Sequence, residues 1–254
     1  GKGLELDLRL KPLIKIEDFR WNGGFNATFL ETKVTELAGD ATELILDDNF
    51  AGYAILGEKF PQVKATDWKR NPAGKVIVNA STGMPSAGDI IACGTSDPTV
   101  RLGFTSNMKW KGFTLGATFD YRGGHVTRFG IEYNALFTGS SYLSATSGRQ
   151  RFVFPNSVIE VTDPNDNVSY QNNTNITVYT GGVNFWNGVY KSGRANQVIS
   201  AASWRLRELS LGYEVPQKYL KKLGFLQRAS VSLVGRNLFM WTPKTNIFGD
   251  PDYT

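Results

Sequence analysis

Residues 100–122 read VRLGFTSNMKWKGFTLGATFDYR, and two opposed patterns are threaded through them. Val100, Leu102, Phe104, Ser106, Met108 and Trp110 alternate with Arg101, Gly103, Thr105, Asn107 and Lys109. Successive side chains of an extended chain point to opposite faces, so this period of two predicts a strand with one apolar and one polar face. Lys111-Gly112 supplies a tight reversal, since glycine enters the positive-φ region that a two-residue hairpin requires. The return strand obeys the same rule: Phe113, Leu115, Ala117, Phe119 and Tyr121 share a face, opposite Thr114, Gly116, Thr118, Asp120 and Arg122.

The same pattern recurs on both sides of this hairpin. From Leu4 to Lys11 every even position is leucine and every odd one is charged. After Pro12 and an irregular link, Phe19, Trp21, Gly23, Phe25, Ala27 and Phe29 alternate with Arg20, Asn22, Gly24, Asn26 and Thr28. Trp204 to Tyr213 alternates but slips phase between Leu206 and Leu209, as one extra residue in a bulge would cause. Pro216 stops that strand, Gln217 to Gly224 reads as a short helical or turn link, and Val231, Leu233, Gly235, Asn237, Phe239 and Trp241 mark one face of a last strand. Six strands are thus expected. The links near Lys11–Asp18, Lys111-Gly112 and Pro216–Arg228 are short, whereas Lys33–Thr99 and Gly123–Ser200 are very long. Structureless loops above ~12–15 residues are uncommon in compact soluble domains, but outer-membrane barrels pair short periplasmic turns with long extracellular loops.

Composition narrows the function. With 27 Gly, 13% aromatic residues and only three Met, the 254-residue chain favours strands and turns over helices. The net charge of +5 is spread singly among acidic residues, without the clustered basic stripe that nucleic acid requires. Cys93 has no partner cysteine and His125 is the only histidine, which leaves neither a disulfide nor a zinc site. No apolar run approaches the ~18 residues of a spanning helix, and Gly1-Lys2-Gly3 opens no signal-peptide core. Barrel strands escape that test, because they need about 9–11 residues and carry apolar side chains only on alternate positions.

A soluble β-sandwich alternates in the same way, so alternation alone leaves both architectures open. Two features favour the barrel. The apolar faces of the unbulged strands carry no charge, as expected where a lipid-facing Lys or Arg costs about 2–4 kcal/mol. Trp21, Trp110, Tyr121 and Trp241 also lie towards strand ends, where aromatic girdles sit. The expected class is all-β, an antiparallel transmembrane β-barrel segment with long extracellular loops and lumen-facing Arg101, Asp120 and Arg122.

Other motifs carry less chemistry. Asp163, Asn165 and Asn167 open like a calcium loop, but position six is Val168 and position twelve is Thr174 rather than Glu, which favours a plain Asx-rich turn. Asp47-Asp48 and Glu160 with Asp163 place carboxylates near one another without an electrophilic partner, so the chain is read as no enzyme and as needing no cofactor. Gly181-Gly182 followed by Phe185, Trp186 and Tyr190 forms a loop whose rings either contact a sugar or peptide ligand or pack on the loop itself, the second being the commoner case.

Two ordered motifs, WRLRELSLGYEVP at 204–216 and VGRNLFMWT at 234–242, resemble the "RLK-LSLGY-LP" and "GQNLFTWT" strands of the SusC/RagA family, TonB-linked outer-membrane transporters of Gram-negative bacteria. Gly3–Leu6 and Asp18–Trp21 resemble that family's paired strands, Gly74–Val78 with Thr82–Pro85 its first long loop, and Trp110–Leu115 its "YKGF-L" hairpin. Arg236 departs from the family's usual Gln. The resemblance implies that residues 1–254 are part of one C-terminal barrel domain of about 22 strands, with plug, N-terminal extension and closing strands outside this sequence. It further implies import of a glycan or oligopeptide, with outer-membrane lipid, a SusD-like surface lipoprotein and the TonB complex as partners. The alternative reading is a soluble or surface-exposed carbohydrate-binding β-sandwich.

Overall fold

A computed structural model describes residues 1–47, 52–180, 184–221 and 226–253. In chain order the strands are β1 (Lys2–Ile16), β2 (Phe19–Glu31), β3 (Glu43–Asp47), β4 (Gly52–Ile55), β5 (Gln62–Trp68), β6 (Val76–Val78), β7 (Ala87–Thr95) and β8 (Val100–Trp110). They continue as β9 (Phe113–Gly123), β10 (Val126–Arg128), β11 (Ser157–Thr162), β12 (Val168–Asn172), β13 (Val198–Ser200), β14 (Ser203–Glu214) and β15 (Ser230–Trp241). The chain divides into two compact units: Gly1–Lys33, Asp97–His125 and Ser200–Asp250 form the first, and Val34–Ser96, Val126–Ile199 and Pro251–Thr254 the second.

The first unit is a six-stranded antiparallel sheet in the order β1-β2-β8-β9-β14-β15, and its members are the six strands expected from alternation. Register keeps like with like. Leu8, Phe25, Phe104 and Phe119 form one cross-strand row, and Leu10, Gly23, Ser106 and Ala117 the next. A one-residue slip would turn each strand's apolar set to the other face, so the pairing is strongly specified. Ser106 is the polar exception on the apolar face, and its Oγ accepts a hydrogen bond from Trp21 Nε1 at 3.0 Å.

Two details differ from the alternation pattern. β1 does not stop at Pro12: it continues to Ile16, with a register shift between Leu10 and Ile14 that absorbs the proline. Proline supplies no N–H to a ladder and is accommodated at such bulges. The phase slip in β14 is a bulge between Leu206 and Glu208, as expected, but β15 bulges beside it. Asn237 therefore leaves the apolar face assigned to it: it takes φ 50° and its Oδ1 accepts from Arg207 Nη1 at 3.4 Å. Leu238 fills the apolar position instead, its Cδ2 lying 2.8 Å from where a Cβ on Gly235 would stand.

The turns at one end of the sheet are tight. Glu17 adopts φ 47°, and Lys111 and Gly112 adopt 45° and 92°. Gly112 is required, since a Cβ there would stand 2.9 Å from the Glu214 carbonyl oxygen.

The two very long links carry secondary structure of their own, which makes up the second unit. Residues 34–96 and 126–199 fold into a four-stranded sheet β3-β4-β5-β7, a three-stranded sheet β12-β11-β6 with β6 and β11 parallel, and the pair β10-β13. Two helices, α1 (Gly130–Thr138) and α2 (Tyr142–Ala145), lie in the second segment; Gly139 closes α1 in the left-handed region at φ 72°. Trp68, Val76, Val78, Leu136, Phe154, Val178, Phe185 and Trp186 form a common buried core. The strands are too short, β6 having three residues and β4 four, for a period of two to stand out in sequence. The expected Gly181-Gly182 turn and Asp48 fall outside the described residues.

Candidate functional site

The polar face of the six-stranded sheet carries the chemistry of the first unit. Glycines and short polar residues tile it. A Cβ on Gly24 would stand 2.5 Å from Thr105 Oγ1, one on Gly103 2.6 Å from the Asn26 amide, and one on Gly116 2.5 Å from Ser210 Oγ. Each polar side chain thus lies flat over a glycine of the next strand. The result is a shallow depression of about 640 Å³, floored by amides and hydroxyls and edged by Arg9 and Lys11 on β1 and Glu208 on β14.

Charge pairs gather beside it. Arg101 and Arg122 are direct cross-strand partners, and Asp120 faces Gly103 one row below. Arg207, set in the β14 bulge, donates from Nε and Nη2 to the two Asp120 oxygens, both at 2.9 Å. Arg122 Nε stands 4.0 Å from the same carboxylate, and Arg101 Nη2 3.5 Å from Asp97. Arg205 is buried and holds Asp250 through Nη1 at 2.9 Å and Nη2 at 2.5 Å. Arg101, Asp120 and Arg122 are therefore brought together on one polar face. Sequence reading missed Arg205, Arg207 and Asp250; the phase slip at 206–209 locates the bulge that sets Arg207 over Asp120, but nothing local marks Asp250.

In the second unit, Phe185 is completely buried and Trp186 is 6% exposed, while Tyr190 is half-buried against both. Phe185 and Trp186 meet edge to face at 4.9 Å, and Trp68 meets Phe154 likewise at 4.9 Å. The three rings of this loop pack on the unit's own core, and they also line a cavity of about 500 Å³ with Phe152, Pro155 and Asn196. Burial, with the nearby Glu132 carboxylate second, pushes the Tyr190 hydroxyl up to about 12. Glu132 itself is buried and hydrogen-bonded to the Ser141 hydroxyl; burial raises its carboxyl above the ordinary range and outweighs that hydrogen bond.

At the β11–β12 turn, Asp163 Oδ1 accepts the backbone N–H groups of Asn165 and Asn167, both at 2.8 Å, and Oδ2 accepts Asn167 Nδ2 at 2.9 Å. That is a closed Asx turn. Among the described residues, no group of three or more His, Cys, Asp or Glu is placed to hold a metal ion. No described helix is long and apolar enough to cross a membrane, which says nothing of strands.

An antiparallel sheet with one polar face and one apolar face, charged only at the Lys2–Glu31 margin among the described residues, is the class of structure the first unit defines. No family model matches the chain. TonB-dependent receptor P3 of Formosa agariphila is 24% identical over 269 residues, which cover 95% of this chain and 24% of that protein. Among solved structures, the RagAB peptide importer in its closed-closed and open-open states superimposes with a TM-score of 0.63 at 17% identity, covering 99% of this chain and 27% and 26% of those chains. A further structure of the RagAB peptide transporter gives 0.65, at 17% identity and 99% coverage of this chain. The chain is distantly related to TonB-dependent receptors and shares the mostly-β, antiparallel fold of the RagAB importer. It spans about a quarter of the length of those relatives.

Proposed function

We propose that this chain is part of the barrel wall and extracellular loops of a TonB-dependent outer-membrane importer, and that it carries no catalytic activity. The carrying observation is the apolar face of the six-stranded sheet. Leu4, Leu6, Phe29, Phe104, Leu211, Leu233 and Phe239 are between 39% and 75% exposed on it. Its first charges, Lys2 and Glu31, lie at its margin and are paired at 3.0 Å. A water-soluble monomer rarely leaves an apolar patch of more than a few hundred Å² uncovered, whereas lipid covers such a face.

Aromatic rings border it at both ends. Phe19, Trp110, Phe113 and Tyr213 form a row beside the tight turns, and Tyr121, Trp204 and Trp241 one near the long segments. Trp110 and Leu102, the partner of Tyr121, are eight residues apart on β8, about 27 Å along a strand. Tilted as barrel strands are, that spans roughly 20 Å of height, close to the ~25 Å apolar band of outer-membrane barrels.

In this reading the polar face, with Arg101, Asp120 and Arg122, looks into the lumen, and the second unit is the folded extracellular part. The work of a whole importer belongs to the longer protein: capture of a peptide or glycan, a SusD-like lipoprotein at its mouth, and drive from the TonB complex through other segments. The test is the intact mass of the native polypeptide and its need for detergent. A detergent-dependent chain of about 100 kDa, as a 22-stranded barrel with plug implies, supports the reading. A water-soluble chain of this fragment's size overturns it in favour of a carbohydrate-binding sandwich.

A further inference from the structure

We propose that the aromatic cleft of the second unit, lined by Trp68, Phe152, Phe154, Trp186 and Tyr190, binds an uncharged sugar residue. The proposal deepens the transporter reading by naming a ligand class for the loops, and it rests on that reading only in that a soluble glycan reaches this unit.

The cleft lies wholly within the second unit and holds about 500 Å³, inside the ~300–1,000 Å³ range of small-molecule sites. Aromatic rings make most of its lining. Phe185 and Trp186 are carried into it by a six-residue π-helical turn, Asn184–Val189, a conformation that is rare in proteins and concentrated at functional sites. Among the described residues no Asp, Glu, Lys or Arg lines the cleft, and the nearby Glu132 carboxylate is buried and bonded to Ser141. A charged ligand would give up its water there without gaining a counter-charge, so the occupant is neutral.

The polar atoms of the lining decide between neutral ligands. Trp68 is 6% exposed, and its Nε1 is buried without a hydrogen-bond partner, as is Ser147 Oγ. Trp68 meets Phe154 and Tyr190 edge to face, contacts that supply no oxygen or nitrogen acceptor. The Tyr190 hydroxyl makes no hydrogen bond among the described residues, its contacts being with rings. Asn196 uses its Nδ2 on the Gly193 carbonyl at 2.7 Å, which leaves its Oδ1 as an acceptor. Buried polar groups in native proteins are nearly always paired. An apolar peptide side chain would fill the space between the rings and leave these groups as they are. A sugar residue answers both features: its C–H face lies on an aromatic ring, and its hydroxyls, each a donor and an acceptor, bond the polar atoms set among the rings.

The full-length protein, in a detergent without a sugar headgroup, is titrated calorimetrically with cellotriose, maltotriose, mannotriose and galactotriose, and with the capped peptides Gly-Phe-Gly and Gly-Pro-Gly. At least one trisaccharide is expected to bind with a Kd below about 1 mM, and neither peptide is. Thr146→Trp places a ring on the exposed rim of the cleft and is expected to weaken that binding at least about 10-fold. Tyr190→Phe keeps the ring and removes only the hydroxyl, so it should weaken binding about 5-fold, the worth of one hydrogen bond. Both variants should melt with the parent; Tyr190→Phe carries the test if Thr146→Trp melts earlier. Absence of trisaccharide binding, or binding that both variants leave unchanged, overturns the site. Binding of a capped peptide in place of the sugars, blocked by Thr146→Trp, gives the cleft to peptide side chains and overturns the sugar assignment. Detergent dependence and intact mass decide the transporter reading separately, so an outer-membrane protein that binds no trisaccharide loses this site alone.

Discussion

The two units of this chain treat the same kind of side chain in opposite ways. In the second, Phe185 is 0% and Val178 0% exposed, packed with other rings and aliphatic groups. In the first, Leu233 is 75%, Val231 72% and Phe239 60% exposed, all on the twelve-residue strand β15. Hydrophobic residues alone do not say where the inside of a protein is. The second unit obtains its core by folding short, irregular strands around rings from different segments. The first has no interior between its faces, and its apolar side is complete only when something apolar covers it.

The comparison breaks most directly in the second unit. Phe185→Ala should cost about 3–5 kcal/mol by emptying a fully enclosed ring site. Its effect should stay local: hydrogen exchange of the full-length protein is expected to lose protection in β5, β6 and α1 while β8 and β9 keep theirs. Loss of protection in all strands at once would mean that the two units unfold together.

The first unit is tested by charge rather than by cavity. Phe104 sits mid-strand on the apolar face, between Phe25 and Phe119. Phe104→Arg should cost about 2–4 kcal/mol if lipid covers that face, whereas an exposed position in water would tolerate it almost freely. Thr105→Arg, one residue along and on the polar face, is the control. Folded protein recovered from the outer membrane, read by heat-modifiable gel mobility, should drop for the first and hold for the second. Equal recovery of both variants would remove the argument for a lipid-covered face.

How much of this was legible follows from the same contrast. The six strands of the first unit announce themselves because their faces are chemically unlike over ten or more residues, and even the β14 bulge shows as a slipped phase. The β15 bulge did not, because Asn237 and Leu238 fit either face until Arg207 and Gly235 decide between them. The second unit was hidden because its strands are short and its core is assembled from residues far apart, Trp68 with Phe154 and Trp186 with Phe152. Arg101, Asp120 and Arg122 could be placed on one face by counting in twos. Arg207, the partner of Asp120, depends on a bulge, and beside it Arg205 meets Asp250 through a contact 45 residues away.

A smaller effect sharpens the hairpin at the tight end of the sheet. Gly112→Ala places a Cβ at φ 92°, 2.9 Å from the Glu214 carbonyl oxygen. A left-handed conformation costs an L-residue roughly 1–2 kcal/mol, so the melting temperature should fall modestly. Gly148, at φ 59° with nothing within 4 Å of its Cβ position, should show the conformational part alone when replaced by Ala. The difference between the two variants isolates the contact with Glu214, and equal melting would assign the whole effect to backbone conformation.

The smallest effect distinguishes a dry core from a wetted one. Glu132 is buried beside the aromatic cluster, and burial raises its carboxyl above the ordinary range despite the Ser141 hydrogen bond. A raised pKa in the folded state means that the folded state binds the proton more tightly than the unfolded one. The stabilisation is therefore fully present below the unfolded value of about 4.3 and is lost as pH rises through the folded value. Protection of α1 against hydrogen exchange, corrected for the intrinsic pH dependence of exchange, should decline over that interval in the parent protein. Glu132→Gln keeps a hydrogen-bonding group for Ser141 and removes the charge, so its corrected protection should be flat with pH and higher at neutrality. A parent whose α1 protection is as flat as the variant's would place Glu132 in contact with water, and the core around Tyr190 with it.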